Sequence, residues 1–369
     1  MLQILRYESY LLHVVFCMNK IFFVVMRNLI CNLFVILPTL FFVAAVWGEH
    51  DNAQYRLDTV NYFLESDPHK AHKLHQAIEL EDFTPAHTAH FHHLGVSIAL
   101  SLGQLEQAQR ALAVLFQNPQ NTYFSEHRFS LTYDASVWLR KGGYIRQSEH
   151  LLLCALKSAR SAKEKIKTLN ALAVIAYNYG DNISAKDYFV RSLAIGTRIK
   201  NQRAMGIIEN NLGVLALKTS HFEDAVNYFK LAYARHQLAG RESSELNTGL
   251  NLLFVYILRG EKEMYERVSP RVLALVQKHK NAAQSAYSLW IERFYDVIFT
   301  AAKLSKREKA ELIAAFNNLS EAGLKSLLKQ HIGRVAGINP TTLPIAVPQK
   351  MMLETTNNHW LNSALSCNF

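Results

Sequence analysis

The sequence predicts an all-α protein: an α-α superhelix of antiparallel helix pairs, preceded by an apolar N-terminal leader or transmembrane helix. Three observations carry that expectation. Half of the residues are hydrophobic while Gly (15) and Pro (8) are scarce, which disfavours turn-rich β folds and Pro/Gly-rich disordered chains. A motif beginning Asn-Leu or Asn-Ala-Leu returns in phase along the middle of the chain. The first fifty residues concentrate apolar side chains, and twenty of them in a row, 28–47, carry no charge.

The leader comes first in chain order. "NLICNLFVILPTLFFVAAVW" (28–47) contains no charged residue, and about 20 apolar residues suffice to cross a hydrocarbon core of about 30 Å. Lys20 and Arg27 precede it and Glu49 and Asp51 follow, so the positive end is expected to stay in the cytoplasm. Residues 1–48 therefore read as a signal peptide or a membrane anchor. Met18 or Met26 makes a better-proportioned start for a signal peptide than Met1 does, and "VAA" ending at Ala45 suits cleavage. Either reading exports the remainder, to the periplasm or to the periplasmic face of an inner membrane. Cys17 and Cys31 fall in this leader; Cys154, in "LLLCALKSA", is expected as a small buried hydrophobe, and the four cysteines show no CxxC and no disulfide framework.

Residues 50–83 are expected to form an irregular helix pair. In "SDPHKAHKLHQAI", Ser66 or Asp67 can cap a helix whose first residue is Pro68, and Thr84 and Pro85 repeat the arrangement. The repeats follow over 84–280, in units of about 84–120, 127–160, 163–200, 203–240 and 243–280. Their anchors Leu172, Leu212 and Leu252 are spaced by 40 and 40, and Leu94 lies 78 before Leu172. The intervening unit is degenerate and is recognised by Trp138, Gly142 and Tyr144. Each unit reads as two helices and a tight turn, with small residues where the helices approach and large ones filling between them. The set is Leu94, Gly95 and Ala108; then Leu172, Ala173, Ala185 and Phe189; then Leu212, Gly213, Ala225, Phe229 and Ala232. The Leu-to-Ala interval is the same, 172 to 185 and 212 to 225. Residues 281–330 are expected to cap the array, as solenoid ends require atypical units. The tail 331–369, with prolines at 340, 344 and 348 and no helical phase, is expected to be extended or disordered.

This pattern resembles the tetratricopeptide repeat (TPR): large-small "LG" in the first helix, a Gly-Asp or aromatic turn, then Ala, Phe or Tyr, and Ala in the second. The match is good over 168–236, fair over 88–117 and 247–266, and poor over 130–156. Two departures stand out. The period is near 40 rather than the usual 34, which resembles the longer-helix repeats of kinesin light chains and some bacterial regulators. The closing proline is absent from the best copies. The resemblance implies a concave groove lined by first helices, in which polar residues hold a peptide. Those positions correspond to Lys167, Asn170, Tyr177 and Asn178; Asn210, Asn211 and Lys218; Asn247 and Asn251; and His92 and His93. Asparagine offers a donor and an acceptor, so a row of them can serve a peptide backbone of any sequence.

Histidines crowd residues 69–93. His87, His90 and His93 stand at i, i+3 and i+6, close enough on a helix for neighbours to chelate a transition metal. No cysteine or HExxH accompanies them. Groove-lining polar residues, a metal site and a pH response all stay open.

The net charge of +10 is dispersed, with no basic stripe interleaved with aromatics, so nucleic-acid binding is not expected. There is no GxSxG, P-loop or GxGxxG, and no enzyme activity or cofactor is expected. The expected function is a non-catalytic protein-protein interaction scaffold of the cell envelope, binding a peptide or protein partner. A sensory or regulatory module of an envelope signalling system and a His-dependent metal-binding protein are the alternatives.

Overall fold

The computed structural model describes residues 53–64, 66–117, 122–319, 321–333, 335–345 and 359–367. The leader 1–48 and its membrane role lie outside them. Among the described residues every regular element is helical, and no helix is long and apolar enough to cross a membrane. The chain divides into two compact units, one ending at Gly103 and one beginning at Gln104.

The first unit contains α1 (53–64), α2 (Pro68–Gln76) and α3 (Pro85–Leu102). Its helix starts are local: Asp67 and Thr84 accept hydrogen bonds from the amides of Lys70 and His87, with a proline at each first helical position. Leu57, Val60, Ala71, Leu94 and Ile98 form its core.

The second unit contains α4 (Leu105–Gln117), α5 (Thr122–Glu126), α6 (Arg128–Lys141) and α7 (Ile145–Ser158). The regular pairs are α8 (Ala162–Tyr179) with α9 (Asn182–Arg198), α10 (Gln202–Lys218) with α11 (Phe222–Leu238), and α12 (Glu242–Leu258) with α13 (Lys262–His279). Then come α14 (Ala282–Phe299), α15 (Lys306–Asn317), α16 (Ala322–Leu328) with a π turn over Lys329–Gly333, a 3-10 turn at Pro340–Thr342, and α17 (His359–Ser366).

A backbone rhythm organises the pairs. Residues with left-handed φ occur at Gly180, Lys200, Ser220, Gly240, Gly260 and Lys280, one every 20 positions. Each ends a helix of 17 or 18 residues and turns the chain back on itself. Inside the pairs, helices meet across small residues. A β-carbon built at Gly213 would lie 2.6 Å from the Phe229 ring, and one at Gly249 would lie 2.5 Å from Val272. Ala108, Leu172, Ala173, Ala185, Phe189, Leu212, Ala225, Phe229, Ala232 and Leu252 are all buried. Consecutive first helices α8, α10, α12 and α14 also touch one another, so they form one layer.

The tail departs from the sequence expectation. Residues 359–366 are helical, and α17 lies against α4 and α7, with the Trp360 ring 5.5 Å from Phe116 and 5.4 Å from Trp138. Cys367, one residue beyond α17, is disulfide-bonded to Cys154, with their Cα atoms 5.9 Å apart. Cys154 is thus a half-buried cross-link and not the small buried hydrophobe expected. The cause is non-local, since its partner is 213 residues away and no local pattern announces it.

Candidate functional site: the layer of first helices

The first helices present one face away from their partners. On α10 the face turned to α11 carries Gly206, Glu209 and Gly213, packed on His236, Arg235 and Phe229. The other face carries Ile207, Asn210, Asn211, Val214 and Lys218, at helical spacing and partly exposed.

Along that face the asparagines bond from helix to helix. The Asn211 side-chain amide donates to Asn170 Oδ1 at 2.9 Å, and Asn251 donates to Asn210 Oδ1 at 3.2 Å. Thr248 also donates to Asn210 Oδ1, at 3.1 Å, and the Tyr287 hydroxyl donates to Asn251 Oδ1 at 3.2 Å. Gln284 donates to Asn247 Oδ1 at 2.7 Å. Lys218 Nζ donates to the Tyr177 carbonyl at 2.7 Å while standing 4.1 Å from the centre of its ring, and Lys167 stands 3.9 Å over the Tyr133 ring. The expected groove residues of α8, α10 and α12 are therefore brought together as a polar ladder, with part of each amide's capacity spent on its neighbours. Asn178 lies beside Tyr177 at the exposed end of α8.

Burial sets the electrostatics here. It lowers the affinity of the Lys218 amine for its proton. It raises the Tyr177 phenol above its usual range, with the charge of Glu321 adding to the effect, and both causes act on Tyr287 as well. Glu321 opens the C-terminal segment, and that segment covers part of the face. A β-carbon at Gly323 would lie 3.3 Å from the Tyr177 hydroxyl. The His331 ring sits 6.0 Å from Phe222 and 6.1 Å from Phe254, edge to face. Leu319, Leu327, Leu328, Ile332 and Leu343 join the same core as Leu253 and Phe254. Phe254 on α12 is consequently fully buried, whereas Val214, forty positions earlier, is only half-buried. The layer is covered at α12, at α14 and at the Tyr177 end of α8, and is most open over the rest of α8 and over α10.

His92 and His93 lie on α3, in the first unit, and both are half-buried. The imidazole of α2's His75 stacks on Phe91 at 3.9 Å and donates to the Phe91 carbonyl at 2.9 Å. A β-carbon at Gly95 would lie 3.3 Å from the His75 ring, so Leu94 and Gly95 seat α2. Burial lowers the proton affinity of His75 and of His92, with neighbouring imidazoles adding to it. His87, His90 and His93 do not gather as a metal-ligand cluster: among the described residues the ligand atoms that do so belong to His150, Cys154 and Cys367. A helical i, i+3, i+6 spacing fans three imidazoles over about a third of the circumference and about 9 Å of axis, too far for all three to meet one ion.

Two further features are absent from the sequence expectations. One is the apolar pair Ile207 and Val214 on the open face. The other is a repeated ion pair: Arg235 Nε donates to the buried Glu209 at 2.7 Å, and Arg271 Nε to the buried Glu245 at 3.0 Å. Each arginine follows its glutamate by 26 residues, a spacing visible in the sequence.

No sequence-family model and no curated protein matches the chain. Solved structures are similar in fold. The apo form of RapI has 13% identity and a TM-score of 0.57, covering 76% of this chain and 97% of its own. A Rap protein complexed with competence and sporulation factor has 13% identity and a TM-score of 0.55, covering 85% and 88%. Aspartyl phosphate phosphatase F from Bacillus subtilis has 14% identity and a TM-score of 0.52, covering 85% and 93%. At these identities the likeness is one of fold, and the chain has a TPR-like helical-repeat fold.

Proposed function

We propose that this chain is a non-catalytic interaction scaffold that holds an extended peptide or protein segment on the open layer of α8 and α10. The observation that carries the reading is the interhelical ladder of Asn170, Asn211, Asn210 and Asn251, flanked by Lys218 and Tyr177. Amides already fixed by their neighbours lose little conformational entropy when they meet a ligand backbone, and so are pre-organised for it. Exposed Lys163, Lys167 and Arg203 stand on the same two helices, which favours a segment bearing carboxylates. Ile207 and Val214 add an apolar strip for alternate side chains.

A regulatory variant of this reading has its own support: one of the similar structures is a Rap protein in complex with a factor, and another is a conjugation gene regulator in complex with the Phr peptide, at 14% identity and a TM-score of 0.53. In it, the ligand alters how the chain engages a second protein. The reading also places the chain in the cell envelope, exported or anchored by 28–47. The Cys154–Cys367 disulfide supports that location, because such bonds persist in oxidising compartments.

The test is a crosslinking pull-down of the full chain from the envelope fraction, with N-terminal sequencing of the mature protein. A discrete partner that is lost with Lys167→Glu and Lys218→Glu together is the expected result. Recovery of the same partner by that double variant contradicts the site, and no partner under any condition contradicts the scaffold. A mature N-terminus before the apolar run, in soluble material, contradicts the location.

A further inference from the structure

A second site lies away from the groove, where α7 meets the C-terminal helix. His150 and Cys154 are four residues apart on α7 and share one face, and Cys367 arrives from beyond α17. The candidate ligand atoms of all three lie within 4.8 Å of one another. His150 Nε2 is 3.5 Å from Cys367 Sγ and donates to the Leu365 carbonyl at 2.8 Å. His150 is exposed and the cysteines are half-buried, so a solvated ion can reach them without opening the core. Trp360, packed between Phe116 and Trp138, holds α17 in place independently of the sulfur bond.

A structural disulfide has no need of an imidazole beside it. Two sulfurs and an imidazole are, by contrast, a ligand set for a thiophilic d10 cation, with three protein ligands and one open position. We propose that reduction of the Cys154–Cys367 bond creates a Zn²⁺ site of one imidazole and two thiolates, so that α17 is latched covalently under oxidising conditions and by metal under reducing ones. An external dithiol supplies the two electrons and two protons. The Cys154–Cys367 bond breaks, each sulfur becomes a thiol, and the dithiol closes to its own disulfide. Zn²⁺ then displaces both thiol protons to solvent. The neutral imidazole moves its proton to Nδ1 and gives up the Leu365 carbonyl, offering the Nε2 lone pair, and water takes the fourth position. Two thiolates neutralise the ion, so the site carries no net charge. Zn–S bonds of about 2.3 Å in a tetrahedral site set the sulfurs about 3.8 Å apart, a movement that a cysteine beyond the last turn of a terminal helix can make.

The test uses the full chain in mild detergent, carrying Cys17→Ser and Cys31→Ser so that all thiolate signal comes from the pair. Oxidised and phosphine-reduced forms are titrated anaerobically with Co²⁺, followed by Zn²⁺ displacement against a chromophoric chelator. The expected result is thiolate-to-cobalt charge-transfer absorption at one equivalent in the reduced form only. The affinity should fall at least about tenfold in His150→Ala, the scale on which metal sites lose affinity when a ligand shell is damaged. Weak, unstructured binding by the 69–93 histidines gives no charge-transfer band, so it is separated from the site. The proposal is overturned if the reduced chain shows no such band, if the oxidised chain binds equally, or if His150→Ala leaves the affinity unchanged. Failure of His150→Ala to fold leaves the oxidised-against-reduced comparison of the parent chain to decide.

Discussion

Glu245 is buried within the α12–α13 pair, yet it stays a carboxylate. Burial pushes its proton affinity up, but hydrogen bonds from Arg271 and Gln237 and the guanidinium charge outweigh that, so its pKa lies below the usual carboxylate value. A group depressed in this way adds stability that is fully present above the unfolded carboxylate pKa of about 4.3 and is lost as pH falls through the lower folded value. Glu245→Gln should therefore lose about 2 kcal/mol at pH 7 and less at pH 3, giving a flatter acid limb in denaturant titrations. Parallel acid limbs for the variant and the parent would contradict this. Ser220 shows the opposite kind of residue-scale economy. It holds φ at 61°, a left-handed value that glycine adopts freely. Relieving about 1.5 kcal/mol of side-chain strain, less about 0.7 kcal/mol of added unfolded-state entropy, leaves Ser220→Gly about 0.8 kcal/mol more stable by urea denaturation. An unchanged or lower midpoint would show that the hydroxyl has an unrecognised role. Individual residues were legible where their chemistry is local, as with the caps at Asp67 and Thr84. The asparagines were legible as a set, but their bonds to one another were not, because the register between successive first helices is a tertiary fact.

At the scale of elements, the helix pairs depend on close approach. Phe229 is fully buried, so its ring has no room to yield to a β-carbon built 2.6 Å away at Gly213. Gly213→Ala should cost about 1–3 kcal/mol despite its better helix propensity, and Phe229→Leu in the same chain should recover part of the loss. A thermal midpoint equal to the parent's would refute the packing account. The pairs could be read from the sequence because small and large residues recur in phase within some forty positions. The packing of the C-terminal segment, and the helix at 359–366, could not. Their determinants, Trp360 on Phe116 and Trp138, and His331 on Phe222 and Phe254, join segments far apart in the chain, and no periodicity links such partners. Trp360→Ala should release α17, seen as about tenfold or faster amide exchange over 359–366 while α8–α11 stay protected. Equal protection throughout would mean that the disulfide alone fixes the helix.

For the molecule as a whole, the proposed function rests on one asymmetry within the second unit. Its first-helix layer is covered by the chain's own C-terminal segment over α12, α14 and the Tyr177 end of α8, and polar, basic and partly apolar residues stay partly exposed over the rest of α8 and over α10. The repeat class was visible in the sequence, and so were the polar residues on the outer face of the first helices. Which part of the groove is open was not, because it depends on where residues 319–343 pack. The most direct measurement is site-specific photo-crosslinking in cells, with a photoreactive amino acid at Ile207 on the open layer and, in a second chain, at Ile183 in the second helix α9. The proposed function predicts a discrete covalent adduct from Ile207, suppressed by Lys167→Glu with Lys218→Glu, and none of that mass from Ile183. Equal adducts from both positions, or an Ile207 adduct indifferent to the lysine substitutions, would contradict it.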